Sequence, residues 1–559
     1  MREASMIRHL RILVAIGVLS GLGACSSVPE PPEPLAATER TISQGQIVGF
    51  AADNAAQVWL GLPYAASTAG VNRWRAPQPA ARFTERFEAL THSEPCPQII
   101  NRLSTRTTGR DEGDLYGSED CLKLDVYAPN GAGPDNADRP VMVWIHGGSN
   151  TWGFASQYDG SKLAQEQDVV VVVIQYRLGP LGFFAHPQID EGEGANFALL
   201  DHVAALQWVA AEIGQFGGDP DNVTIFGESA GGQNVAALLA SPLASGLYHR
   251  AVVQSGFFDS TPLNEAQEGT ENSAIPAAER MLSGEATAYA LRNAPLQAVF
   301  DAYNLGDARA ELPRVIADGV TLPREGLAST LDDTETFNAV PIISGVNRDE
   351  MKLFNALNPE LTRQRFGVLI SIRDPHLYER RAYYQSRLWR ILAIDQPFAR
   401  MRAAGHEPLW AYRFDWDDGG GFLTMDLSEL FGAAHAMEIP FVFNHFDFFG
   451  PLDRFLFHRK NADSRAALAA EMGAYWTEFA RTGDPGAGWP AWTEDGVLKR
   501  FDAPTSGLLE GTDSVERLLE DLASDPTLDS ADTCHIAEAL VNWRDELEAR
   551  IRARTGCEV

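Results

Sequence analysis

Hydrophobic positions fall into two patterns along this chain. Residues 140–146 and 168–176 are nearly continuous apolar runs, and the second carries five consecutive valines. Apolar runs without alternation suit strands buried on both faces, as in a parallel sheet covered by helices. Residues 196–216 instead place Leu199, Leu200, Val203, Leu206, Trp208 and Ile213 at roughly helical spacing, which predicts a helix. A short strand over 222–226, a tight turn starting at Gly227 and an apolar helix over 233–239 follow. Strand, helix, strand, turn, helix is the grammar of a doubly wound α/β protein. Residues 340–346 and 409–414 read as further core strands, the second as the last of them. The acidic, irregular stretch 260–341 reads as helical insertions above the sheet. After about residue 41 no long linker, repeat or low-complexity block interrupts the chain, so residues 41–559 read as one domain.

The first forty residues follow a different pattern. Arg8 and Arg11 precede a short apolar run at 12–22, which ends in Leu22, Gly23, Ala24 and Cys25. A basic flank, a short apolar segment and small residues before a cut site mark residues 1–24 as an export signal, too short to span a membrane comfortably. A cysteine in the first mature position resembles the bacterial lipoprotein signal. Cys25 is therefore expected to carry lipid and to anchor the protein to a membrane. Residues 25–40, rich in Pro and Glu, are expected to act as an extended tether outside the fold. The body would then work in the cell envelope, in an oxidising compartment.

Composition narrows the function classes. An apolar fraction of 45% with 22% charged residues is globular rather than disordered. Forty-five Lys and Arg against 76 Asp and Glu give a net charge of −31, which speaks against a nucleic-acid partner, because neutralising phosphates needs a basic face. The five cysteines include no CxxC metal site, and the absence of a ligand cluster agrees with a chemistry that requires no metal or organic cofactor.

The candidate chemistry centres on Ser229. It stands in Gly-Glu-Ser-Ala-Gly-Gly at 227–232, between a strand and a helix. That is the context of a nucleophile elbow, where small neighbours let a strained turn push the hydroxyl out above the sheet. An attacked ester develops an oxyanion, and backbone N–H groups must stabilise it. The amide of Ala230 is one donor, and the glycine loop after the strand ending at Trp144 and Ile145 (His146, Gly147, Gly148, Ser149) is placed to supply others. Asp349 and Glu350 follow the 340–346 strand, and spacing alone does not choose between them as the acid. Six histidines follow Glu350 (His376, His406, His435, His445, His458 and His535), and the base should lie in a loop after the 409–414 strand.

Four segments carry a family resemblance: FGGDPDNVTIFGESAGG at 216–232, QYRLGPLGF at 175–183, EDCL at 119–122 and LGLPYA at 60–65. Together they resemble the carboxylesterase type-B family of α/β-hydrolases, relatives of the cholinesterases, over about residues 41 to past 480. The resemblance implies the α/β-hydrolase fold, a mostly parallel sheet flanked by helices with helical insertions over the active site. It implies an ester hydrolase acting on a small-molecule ester through Ser229, His435 and Glu350. The match of GVNRDE at 345–350 selects Glu350 over Asp349, which would be a loop residue pairing with Arg348. The match of GAAHAMEIPF at 432–441 selects His435, leaving His445 a packing role and His146 the shaping of the oxyanion loop. The donating amides would be those of Gly148, Ser149 and Ala230, although the family often carries glycine or alanine where Ser149 stands. Cys96 and Cys121 resemble the family's first disulfide, a bridge contributing roughly 3–4 kcal/mol on the chain-entropy estimate. Between them Tyr116 is the only aromatic, with no tryptophan to hold a choline group by a cation–π contact, so choline esters are not the expected substrates. Trp152, Phe154, Phe183 and Phe184 are candidates for an apolar acyl pocket or for the core. The rival readings are an inactive cholinesterase-like adhesion protein and a same-triad amidase, lactonase or acyltransferase; the retained Ser229, Glu350 and His435 count against the first.

Cys534 and Cys557 remain. Ile536, Leu540, Val541, Trp543, Leu547 and Ile551 recur at helical spacing. A continuous helix of about twenty residues is roughly 30 Å long, whereas a disulfide needs Cα atoms within about 7 Å. The two are therefore expected not to be joined to each other.

Overall fold

The valine run forms the strand Val170–Ile174, buried at every position. Val170, Val172 and Ile174 enter one hydrophobic cluster, while Val171 and Val173 enter another. The sheet therefore separates two cores, which is why this strand lacks alternation. The computed structural model describes residues 31–101, 104–189, 191–303, 312–365 and 369–558. Pro34–Val559 form one compact unit. The export signal and Cys25 lie outside the described residues.

The central sheet has eleven strands. In chain order they are β1 (Phe50–Ala51), β2 (Gln57–Pro63), β3 (Lys123–Ala128), β4 (Arg139–Ile145), β5 (Val170–Ile174), β6 (Gly218–Glu228), β7 (Arg250–Gln254), β8 (Ile342–Asn347), β9 (Leu409–Phe414), β10 (Leu498–Phe501) and β11 (Gly507–Leu509). Their spatial order is β11-β10-β9-β8-β7-β6-β4-β5-β3-β2-β1. From β10 to β5 in that order neighbouring strands are parallel, and the pairs outside that run are antiparallel. Helix α1 (Phe197–Glu212) connects β5 to β6, and α2 (Ala230–Ala240) leaves β6. This is the α/β-hydrolase arrangement, with loops after β4, β6, β8 and β9 gathered at the carboxyl ends of parallel strands, where such sheets place their sites.

Three expectations need correction. The body begins at Pro34, before residue 41. Thr38 is fully buried, its hydroxyl donates to the Leu35 carbonyl at 2.6 Å, and its own carbonyl accepts the Trp59 indole N–H at 2.8 Å. A Pro-rich approach concealed that anchor. Strand β9 is not the last core strand, because β10 and β11 extend the sheet. Lys499 and Arg500 inside β10 masked it, yet the Lys499 stem is buried while its ammonium reaches Glu471 at 3.1 Å.

The third correction concerns the C-terminus: Cys534 and Cys557 are bonded, with Cα atoms 5.3 Å apart. The expected continuous helix is broken into α6 (Ser530–Val541) and α7 (Glu548–Thr555), numbered after α3 (Lys352–Leu357), α4 (Pro375–Arg390) and α5 (Val515–Ala523). Arg544 is extended, at φ −142° and ψ 86°, and a 3-10 turn over Asp545–Leu547 turns the chain back. The apolar period survives the break because Ile536, Leu540, Leu547 and Ile551 all enter one cluster with Leu518 and Leu522 of α5 and Leu388 of α4. Periodicity reports which face is buried, and here two helices share one core. The other bridge, Cys96–Cys121, is formed as expected, with Cα atoms 5.0 Å apart.

Candidate active site

Ser229 sits at φ +58° and ψ −122° between β6 and α2. A side chain in that region is strained and needs surroundings that over-determine it. Here the Ser229 amide donates to the Gln254 carbonyl at 2.8 Å, and its carbonyl accepts from the Gln233 amide at 2.9 Å. The flanking glycines are sterically required: a Cβ on Gly227 would lie 2.6 Å, and on Gly231 2.0 Å, from the Ile145 carbonyl oxygen. Strand β4 thus presses on the elbow from one side.

The loop after β4 lies against it. Gly148, Ser149 and Asn150 all take positive φ, at +97°, +56° and +56°. Asn150 pins this course, its carbonyl accepting the Gly179 amide at 2.6 Å and its Oδ1 the Asn234 amide at 2.8 Å. Arg314, from the acidic 260–341 stretch, donates to the Ser149 carbonyl at 2.7 Å. The backbone N–H groups of Gly148, Ser149 and Ala230 donate to no protein acceptor among the described residues. His146 is buried beneath the loop, its Nδ1 2.9 Å from the Gly147 carbonyl, and burial pulls it down to about 4. It stays neutral and serves as packing.

Glu350 is wholly buried behind the cavity. Its Oε1 accepts the Ser255 hydroxyl at 2.6 Å and the Asn347 amide at 2.7 Å, while Oε2 lies 2.6 Å from His435 Nδ1. Asp349 points away: its Oδ2 accepts from the Arg348 guanidinium at 2.7 Å and from the Ala433 amide at 3.0 Å. Of these two neighbouring carboxylates, Glu350 contacts His435, whereas Asp349 contacts Arg348 and Ala433. His445 is half-buried and contributes nothing to the cavity wall.

His435 Nε2 faces Glu228 Oε1 at 3.0 Å, without alignment for a hydrogen bond, so that buried oxygen has no hydrogen-bond partner among the described residues. Burial pushes the Glu228 carboxyl up to about 8; His435 pulls it back, and Glu438 and Glu350 add to the rise. Burial works to lower His435, but the Glu228, Glu350 and Glu438 carboxylates outweigh it and push the imidazole up to about 9. Burial also raises Glu438, which accepts from Asn347 at 2.6 Å. Glu228, Glu438 and Ser255 were not singled out from sequence. Glu228 adjoins the serine and Glu438 lies three residues after His435, and that adjacency was the available signal.

Ser229, His435 and Glu228 line a cavity of about 430 Å³ together with Gly147, Gly148 and Ser149. Its remaining wall is largely apolar: Trp152, Tyr158, Leu353, Phe354 and Leu357, then residues of the 425–452 segment including Met425, Leu430, Phe448 and Phe449. Of the four aromatic candidates only Trp152 lines it; Phe154, Phe183 and Phe184 are buried in the fold, Phe184 stacked on Trp74 at 4.3 Å. Among the described residues, the wall comes largely from α3 and the 425–452 segment, and none of it from 260–341. From the Cys96–Cys121 loop, Thr105 reaches the cavity, while Tyr116 lies under Arg110 at 4.2 Å.

This geometry has known counterparts. The carboxylesterase family model matches residues 36–387 and 392–504. The chain belongs to the carboxylesterase family. Para-nitrobenzyl esterase of Bacillus subtilis (strain 168) is 33% identical over 487 residues, covering 81% of this chain and 92% of that protein. Human cocaine esterase is 32% identical over 497 residues, covering 81% and 85%. Among solved structures, a thermophilic PNB esterase superposes with a TM-score of 0.69 at 30% identity, covering 86% of this chain and 99% of that one. This carboxylesterase is thus a serine ester hydrolase by family.

Proposed function

We propose that this carboxylesterase hydrolyses neutral esters carrying an apolar group, with Ser229 as nucleophile, His435 as base and Glu350 as the orienting acid. The 2.6 Å contact between His435 and Glu350, on one side of the cavity that Ser229 lines, carries this reading. Glu350 fixes Nδ1 as the protonated nitrogen and leaves Nε2 to take the Ser229 proton as Oγ attacks the carbonyl carbon. The three unpaired amides of Gly148, Ser149 and Ala230 receive the oxyanion. Collapse breaks the ester C–O bond, and the alcohol leaves with the proton from His435. Water then attacks the acyl-serine by the same route, releasing the acid and restoring the hydroxyl. A largely apolar wall whose charged members are Glu228 and His435 suits an uncharged substrate.

Purified protein assayed on short p-nitrophenyl esters tests this. Ser229→Ala should lower kcat by about four to six orders of magnitude while circular dichroism stays unchanged. If the variant keeps even a tenth of wild-type activity, Ser229 is not the nucleophile. Cys25 is proposed as the site of a lipid anchor holding the enzyme in the cell envelope. Cys25→Ser should move the protein from the membrane fraction to the soluble fraction with unchanged kcat, and an unaltered membrane fraction would refute the anchor.

A further inference from the structure

The segment after residue 504 lies outside the family match, as do residues 388–391. The two meet beside His435. Trp389, 5% exposed at the end of α4, packs on the His435 ring with centroids 4.8 Å apart. Its indole N–H donates to the Ser255 carbonyl at 3.1 Å, and the Ser255 hydroxyl is the one that donates to Glu350. Trp389 therefore touches the imidazole directly and touches the residue that holds its carboxylate.

What holds Trp389 comes from the C-terminus. Trp543 stands in the break between α6 and α7 and meets the Trp389 ring at 5.3 Å. Phe257 closes the group, 4.7 Å from Trp389 and 5.7 Å from Trp543. Arg544 lies over Phe257 at 5.0 Å and pairs with Asp259 at 2.6 Å. The break that places Trp543 is the same one that lets Cys534 reach Cys557, and α4 is clamped to the segment by Arg387 on Asp513 at 2.8 Å.

We propose that Trp543 is a positioning residue for the reaction, acting through Trp389 on His435 and, through Ser255, on Glu350. The proposal rests on the catalytic reading above. Its physical basis is that rotation of the imidazole about its Glu350 contact is limited by the rings that pack on it, Trp389 at 4.8 Å and Phe354 at 5.4 Å. Packing Trp389 from behind keeps Nε2 aimed, and small misplacements at a reacting centre cost rate rather than binding.

The test compares wild type, Trp543→Ala and Trp543→Phe on a short p-nitrophenyl ester, with active sites counted by organophosphate titration. Titration removes the effect of unfolded molecules, which a merely structural role would produce. W543A is expected to lose about tenfold in kcat per titrated site with KM little changed, and W543F to recover most of it. A W543A kcat per site within roughly threefold of wild type, or a change confined to KM, overturns the proposal. Should W543A not fold, Trp543→Leu, which keeps apolar volume without the flat ring, carries the same expectation. Ser229→Ala separates the two readings: if it is inactive while W543A is unaffected, only the positioning role falls.

Discussion

The two ends of the His435 ring lie in different surroundings. At Nδ1, Glu350 is saturated: the Ser255 hydroxyl, the Asn347 amide and the imidazole occupy its oxygens at 2.6–2.7 Å. At Nε2, Glu228 is equally buried, but its near oxygen lacks a hydrogen bond, and burial pushes its carboxyl up to about 8. A buried carboxylate that accepts several hydrogen bonds is a fixed charge, whereas one without them favours its neutral form. In the proposed mechanism the fixed charge would orient the base, and the soft one would tune how tightly the base holds its proton. Two glutamates at similar distance from one ring would then have separable roles.

The largest expected effect breaks the Nδ1 side. Glu350→Gln should lower kcat by about three to four orders of magnitude, because an amide can hold the wrong tautomer and stabilises no imidazolium. Stopped assays on p-nitrophenyl acetate would show it, and a loss under tenfold would mean that the saturated glutamate is not the orienting acid. The Nε2 side should instead respond in pH. His435 must be neutral to accept a proton, so kcat/KM rises as pH passes its pKa, which neighbouring carboxylates hold above the ordinary 6.5. Glu228→Gln removes one of those charges, lowers that pKa and should move the acid limb of the kcat/KM profile to lower pH. Glu228 and His435 titrate as a pair, so the profile reports the pair in wild type and His435 alone in the variant. A limb that stays in place or moves upward would show that Glu228 does not set the proton affinity of the base.

The parts legible in the sequence are those whose geometry is local. The elbow needs glycine at 227 and 231 because Ile145 lies against both positions, and that requirement is written as a six-residue motif. The strands β4 and β5 were legible because both faces are buried. That Glu350 rather than Asp349 contacts His435 was not local. It depends on Ser255 and His435, 95 and 85 positions away, and only the family resemblance supplied it. The cavity wall was largely illegible, since α3 and the 425–452 segment are brought to the serine by the sheet order and not by any spacing. The break after α6 left no glycine or proline as a signal; at Asn542, Trp543 and Arg544 the helix ends, and residues on both sides of the break enter the cluster shared with α4 and α5.

The smallest expected effect concerns Asp349, which is adjacent to Glu350 and still bears on the same loop. Its side chain accepts the Ala433 amide at 3.0 Å, and its own amide donates to the Ala433 carbonyl at 3.0 Å. Asp349 thus ties the loop carrying His435 twice, once by side chain and once by backbone, beside the Asn347 side chain that donates to the Ala434 carbonyl at 2.7 Å. Asp349→Asn keeps the backbone tie, and the amide oxygen can still accept from Ala433. What it loses is charge toward Arg348, whose side chain is 33% exposed and has Asp417 as a second partner at 2.8 Å, and toward Lys352 at 3.8 Å, which keeps Glu379 at 2.6 Å. Such partly solvated pairs contribute little. D349N should therefore keep kcat within about tenfold of wild type, with the pH limb unmoved because Asp349 does not face the imidazole. Parallel assays of D349N and E350Q decide it: if the asparagine variant loses as much as the glutamine variant, the hold on the histidine loop matters as much as the charge on the histidine, and the division of labour between the two carboxylates facing the ring would have to include this third one.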